Sequence, residues 1–188
     1  RFRWSGTWGY SWEIDDISIY ETPANDIRID NYVSYTDYNT TFIYECGVFA
    51  EGQLTSLEAA AKVYNWGYLD QSGTMMMLNV NGNDVGISDP VTLAYQSVDT
   101  LRVPFDMSAV GTYDLTYTVA ADNEDENPSN NVASQSFEVS SLHYGRDNGT
   151  MTGVFPGDGT DDFIALNPYQ IFEDVTIYAI DVAIVAGS

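Results

Sequence analysis

The stretch GTYDLTYTVA, residues 111–120, constrains the fold more than any other part of the chain. Tyr113, Leu115, Tyr117 and Val119 alternate with Thr112, Asp114, Thr116 and Thr118. A period of two puts the four apolar side chains on one face of a strand and the four polar ones on the other. Such a strand has one dry face and one wet face, and the dry face needs a second layer to cover it. The same texture recurs on both sides. IRIDNYV alternates from Ile27, and TLRVPF puts Leu101, Val103 and Phe105 on one side. MMMLNV does the same with Met76, Leu78 and Val80. Asn81-Gly82 follows immediately, a pair suited to the positive φ angles of a two-residue hairpin. Pro104 marks its strand as an edge or an end, because it brings no N–H to a ladder. Phe137 and Val139 carry the pattern through ASQSFEV.

One segment is ambiguous. In LTSLEAAAKVYNWG, Thr55 and Glu58 fit a helix capping box, and Leu54, Leu57, Ala61 and Tyr64 recur at helical spacing. Leu57, Ala59, Ala61 and Val63 also alternate, and the NWG turn follows, so a strand is expected here. TTFIYECGVFA is apolar enough throughout for a buried strand. Short strands separated by turn signals predict an all-β, antiparallel β-sandwich with partial β-modules at both ends.

Charge narrows the function classes. Lys and Arg total 6 against 28 Asp and Glu, a formal net charge of −22. Nucleic acid needs a basic footprint and anionic membranes repel acidic surfaces, so neither is an expected partner. No apolar stretch has the length of a membrane span. The lone cysteine, Cys46, has no internal disulfide partner and sits in an apolar run, as an inert core thiol would. With His143 the only histidine, nothing in the sequence assembles a nucleophilic centre or a zinc cluster. The expectation is a protein that is not an enzyme.

Three turn and strand motifs carry a family resemblance. They are Val63-Asn65-Gly67 in AKVYNWGYLD, Gly111-Tyr113-Leu115, and the acidic turn NEDENPSNN with Glu126, Asn127, Asn130 and Asn131. On these, residues 24–140 resemble the CARDB-type immunoglobulin-like domain of bacterial secreted and cell-surface proteins. The opening WGYSWEIDDISIYE makes residues 1–22 look like the closing strand of a jelly-roll module of the cleaved-adhesin or MAM-like kind. Residues 141–188, ending in FEDVTIYAIDVAI, look like the start of a further β-sandwich with one or two strong strands. Pro23-Ala24 reads as the linker into the middle domain. Strings of such modules are a type IX secretion style. The resemblance therefore implies an extracellular or bacterial cell-surface location and a window on a larger multidomain protein. It also implies a non-enzymatic structural or spacer role, adhesin-like, with other modules of the same parent as partners. Three alternatives stay open: a carbohydrate- or surface-binding module, an accessory module of a secreted hydrolase, and a filament subunit that exchanges end strands with neighbouring copies.

Candidate sites follow from residue chemistry. Asp15 and Asp16 are adjacent on a strand, so one faces the core side, where a cation would compensate its burial. The jelly-roll resemblance implies calcium there. Asp122, Glu124 and Asp125 bring dense oxygen ligands to one turn, without the order or the glycine of an EF-hand loop. The competing reading is a solvated turn held by its own side chains. Asp158, Thr160 and Asp162 alternate in the GDGTDD loop without completing a known calcium site. Trp4, Trp8 and Trp12, with Tyr10, suggest stacking platforms for glycans; the alternative is core packing.

Overall fold

A computed structural model describes residues 21–34, 47–53, 57–106, 109–145, 169, 171 and 173–180; for 30–34 it describes the backbone. The described residues form nine strands and one short 3₁₀ turn, Pro128–Asn130. The strands are β1 (Ile27–Ser34), β2 (Val48–Ala50), β3 (Leu57–Asn65), β4 (Gln71–Val80) and β5 (Asn83–Ile87). They continue with β6 (Val91–Leu93), β7 (Val98–Phe105), β8 (Gly111–Ala120) and β9 (Val132–Ser140). One sheet runs β1-β3-β7; the other runs β2-β9-β8-β4-β5, with β6 also on β4. The expected all-β sandwich is therefore what the described residues form. One pairing departs from the antiparallel expectation: β2 lies parallel to β9. Among the described residues no helix is long and apolar enough to cross a membrane.

The alternation seen in sequence becomes the core. Met76, Leu78 and Val80 of β4 are buried together with Tyr113, Leu115, Tyr117 and Val119 of β8. Leu57, Ala59, Ala61 and Val63 of β3, with Leu101, Val103 and Phe105 of β7, belong to the same cluster. The ambiguous segment is thus a strand, and the reason is tertiary. A helix would direct the alternate residues around its axis, whereas β3 lays all four on the inner face between two antiparallel neighbours. Burying a Leu or Val side chain contributes roughly 1.5–3 kcal/mol, more than the propensity difference between helix and strand at any one position.

The β4–β5 hairpin confirms its turn signal. Asn81 and Gly82 take φ values of 51° and 82°, the left-handed pair of a two-residue turn whose twist matches the flanking strands. Pro104 sits on β7 opposite Glu58, and β7 is the edge of its sheet among the described residues. Its missing N–H costs no ladder bond on that outer side.

One expectation lies partly outside the described residues, and one comes out differently. Of the apolar run around TTFIYECGVFA, the described residues supply only the three-residue β2; Cys46 lies outside them. Residues 173–180 form no strand, although Val175, Ile177 and Ala179 alternate as a strand would, and Ile177 and Tyr178 stand largely in solvent. Alternation sorts side chains to two faces, but it does not supply the neighbouring backbone that a ladder requires.

The strands also orient the molecule. Chain enters the sandwich at Ile27, opposite Asn65 and beside the turn that follows β8. It leaves at Ser140 and Gly145, beside β2 and the start of β8. Entry and exit therefore lie at opposite ends of β8, whose 10 residues span about 30 Å at ~3.3 Å per residue.

Candidate functional site

Several buried polar side chains, among them Asp26, Asn65, Gln71 and Asn131, gather at the entry end. Here the segment 23–27 is held between the turn 65–71 that follows β3 and the acidic turn 122–131 that follows β8. Backbone bonds supply the first layer. The Trp66 and Gly67 N–H groups donate to Asp26 O at 2.8 and 3.0 Å, Tyr68 N–H to Pro23 O at 3.0 Å, and Leu69 N–H to Ala24 O at 3.1 Å. This approach needs glycine at 67: a Cβ there would stand 2.5 Å from Ala24 O and 2.8 Å from Asp26 N. The glycine of the Val63-Asn65-Gly67 motif thus serves close backbone contact rather than an unusual φ.

Carboxylates supply the second layer. Glu126 Oε1 accepts the N–H groups of Ala24 at 2.7 Å and Asn25 at 3.1 Å, while Glu126 N–H donates to Asn25 O at 2.9 Å. Asp125 Oδ2 accepts from Ile27 N–H at 2.8 Å and from Asn131 Nδ2 at 3.1 Å; its Oδ1 accepts Asn127 N–H at 2.7 Å. Bonds to a charged acceptor are shorter and stronger than neutral ones, so these few contacts weigh heavily. Amides complete the clasp. Asn65 Nδ2 donates to the carbonyls of Leu69 and Leu93, and Gln71 Nε2 reaches Asn25 Oδ1 and Leu69 O.

Asp26 is the buried charge of this end, 3% exposed, with Oδ1 accepting from Asn130 Nδ2 at 3.0 Å. Burial holds its carboxyl above the ordinary carboxylate range. The Asn130 bond opposes that shift, Asp125 adds to it, Arg28 opposes it, and Glu126 adds to it.

The acidic turn bonds backbone through its side chains, the second of the two readings its composition allowed. Asp125 spends both oxygens on N–H donors, and Glu124 is exposed. Asp122 donates its N–H to Ser72 O and lies against Gly73. Among the described residues no group of three or more His, Cys, Asp or Glu side chains converges to hold a metal ion. Asp15, Asp16, Trp4, Trp8, Trp12, Asp158, Thr160 and Asp162 lie outside the described residues. His143 is exposed, and its backbone N–H donates to Ser140 Oγ at 3.2 Å.

Beside the clasp lies an open cleft of about 660 Å³, bounded by residues 21–26, the Trp66–Tyr68 turn, and Glu126 and Asn127. Trp66 is 38% and Tyr68 53% exposed. The Arg28 guanidinium stacks 4.3 Å from the Trp66 ring centre and 5.5 Å from that of Tyr64. Trp66, Tyr68 and Asp26 had no part in the candidate sites read from sequence. Their signal was the NWGY turn, whose aromatics flank a motif glycine.

At the other end the contacts among the described residues are fewer. Gly145 and Val48 exchange both backbone bonds, at 2.8 and 2.9 Å. Gln53 Nε2 donates to Glu173 O at 3.1 Å, and Glu173 N–H donates to Gln53 Oε1 at 3.4 Å. The Tyr144 ring meets Tyr169 edge-on at 5.1 Å.

No protein-family model matches the chain, and no curated protein matches it. Among solved structures it is similar to the CARDB domain of a Pyrococcus furiosus protein, crystallised in complex with di-metal ions. The TM-score is 0.49 at 18% identity, over 69% of this chain and 100% of that one. The solution structure of the same domain gives a TM-score of 0.47 at 20% identity, over 65% and 99%. Both are CARDB domains, the family that the motifs at 63–67, 111–115 and 126–131 resemble.

Proposed function

We propose that this chain is a non-enzymatic structural module that spaces and orients its neighbours within an extracellular, adhesin-like bacterial surface or secreted protein. The observation that carries the reading is the clasp. The entering chain is bonded on consecutive residues, Pro23 to Ile27, by two turns, one crossing from β3 to β4 between the sheets and one joining β8 to β9 within the larger sheet. A linker joined to a domain by a single covalent bond swivels; one tied by a run of directional bonds keeps its angle. The exit is tied about 30 Å away by Gln53 and Gly145, so a rigid sandwich sets the distance between two attachment points. The strong acidity suits a surface that must stay soluble and repel stray copies.

The test is a distance distribution between spin labels at Glu21→Cys and Asn79→Cys in a Cys46→Ser background. The expected result is one narrow distribution that broadens in Glu126→Ala. A broad distribution in the parent, or turnover of peptide, ester or glycoside substrates by this chain alone, would overturn the proposal.

A further inference from the structure

The cleft at the entry end has a composition that the clasp does not explain. A fastening needs Glu126, Asp125 and Asn25 but has no use for two large aromatics left partly in solvent beside it. Trp and Tyr of this size are mostly buried in folded proteins, and their exposure next to a concavity marks a contact surface. We propose that this cleft binds an uncharged carbohydrate chain, stacking sugar rings on Trp66 and Tyr68 and taking hydroxyl hydrogen bonds on Glu21, Glu126 and Asn127.

The lining chooses the ligand class. Among the described residues no Lys, Arg or His borders the cleft, and the chain carries a net charge of −22. An anionic ligand would meet repulsion and find no partner. A cationic ligand would compete for a ring that already serves a cation, since the Arg28 guanidinium lies 4.3 Å from the Trp66 centre and does not itself line the cleft. A second positive charge on that ring would face Arg28 across it. A neutral polyol escapes both penalties. Its C–H faces suit the flat rings, and its hydroxyls donate to the carboxylates. Glu126 keeps one oxygen, Oε1, on Ala24 and Asn25, which holds the carboxylate in place at the cleft's edge. A volume of about 660 Å³ is in the range of ligand-binding clefts and too large for a single trapped water.

The tryptophans of the opening segment are a different candidate, and the test tells the two apart. The 188-residue chain is run on native gels containing dextran, mannan, arabinoxylan or mixed-linkage β-glucan, with polygalacturonate as the anionic control. The expected result is retardation by at least one neutral polysaccharide and none by polygalacturonate. Binding should weaken roughly tenfold in Trp66→Ala and in Tyr68→Ala and stay unchanged in Trp8→Ala and Trp12→Ala. Because Trp66 also packs on Arg28, its variant could lose stability; Tyr68→Ala and Glu21→Gln, at exposed positions, then decide the matter alongside a thermal melt. Mobility unaffected by every neutral polysaccharide would overturn the proposal. So would retardation by polygalacturonate alone, or full binding in a folded Tyr68→Ala variant.

Discussion

The two ends of the sandwich handle the chain differently. At the entry, bonds fall on every residue from Pro23 to Ile27, and the acceptors that matter most are the charged side chains of Asp125 and Glu126. At the exit, the described contacts include a backbone bridge at Gly145, the Gln53 amide and the Tyr144–Tyr169 ring pair, and Val175 to Ile180 run on in solvent. Both ends belong to the same rigid core, so the contrast lies in the loops. A turn crowded with carboxylates and amides can bond a passing backbone at several points, whereas a three-residue strand such as β2 offers only a short ladder.

This comparison breaks most severely at Asp125. Replacing it with alanine strands the N–H groups of Ile27 and Asn127 and the amide of Asn131, at a cost of about 3 kcal/mol. Urea denaturation should show a lower midpoint with an unchanged slope; an unmoved midpoint would mean the clasp is not part of the fold's stability. Glu126→Ala comes next. Its carboxylate is exposed and screened, so a loss of about 1 kcal/mol is expected, with faster amide exchange confined to residues 24 and 25. Exchange that speeds across β1 as a whole would show that the entry does not open separately.

Asp26→Asn has a smaller effect with a defined sign. The folded carboxyl binds its proton more tightly than the ordinary value near 3.8. Its contribution is therefore greatest below that value and declines as pH rises through the raised folded value. The variant, still able to accept from Asn130, should melt at or above the parent at neutral pH and lose that part of the decline. Thermal melts from pH 3 to 8 read it, and parallel curves would refute it. The smallest change belongs to the exit: Gln53→Ala should cost less than about 1 kcal/mol globally while exposing the Glu173 amide to exchange. A large global loss there would make the two ends alike.

Much of this was legible in the residues themselves. The period-two runs of β4, β7 and β8 named their buried faces residue by residue, because a core excludes water from alternate side chains wherever a strand lies against it. Asn81-Gly82 announced its hairpin, since few residues tolerate two successive positive φ angles. The acidic turn was legible as a feature and ambiguous in use. Dense oxygens suit a cation or a set of N–H donors equally, and the donors, at Ala24, Asn25 and Ile27, lie about a hundred residues away in sequence. The same distance hid Trp66 and Tyr68, which become a cleft only when residues 21–26 and 126–127 are brought beside them.

Local composition and periodicity thus determined the class of fold, the faces of its strands and the tightest of its turns, all of which depend on near neighbours along the chain. The strand expected at β3 was borne out, while tertiary structure alone decided that β2 runs parallel to β9 and that Asp125 and Glu126 hold the entering backbone. It also decided that the alternating residues 175–179 go without a ladder. Each of these is a question of which partner arrives. Pairing and hydrogen bonding are satisfied by groups distant in sequence, and only the folded chain brings those groups together.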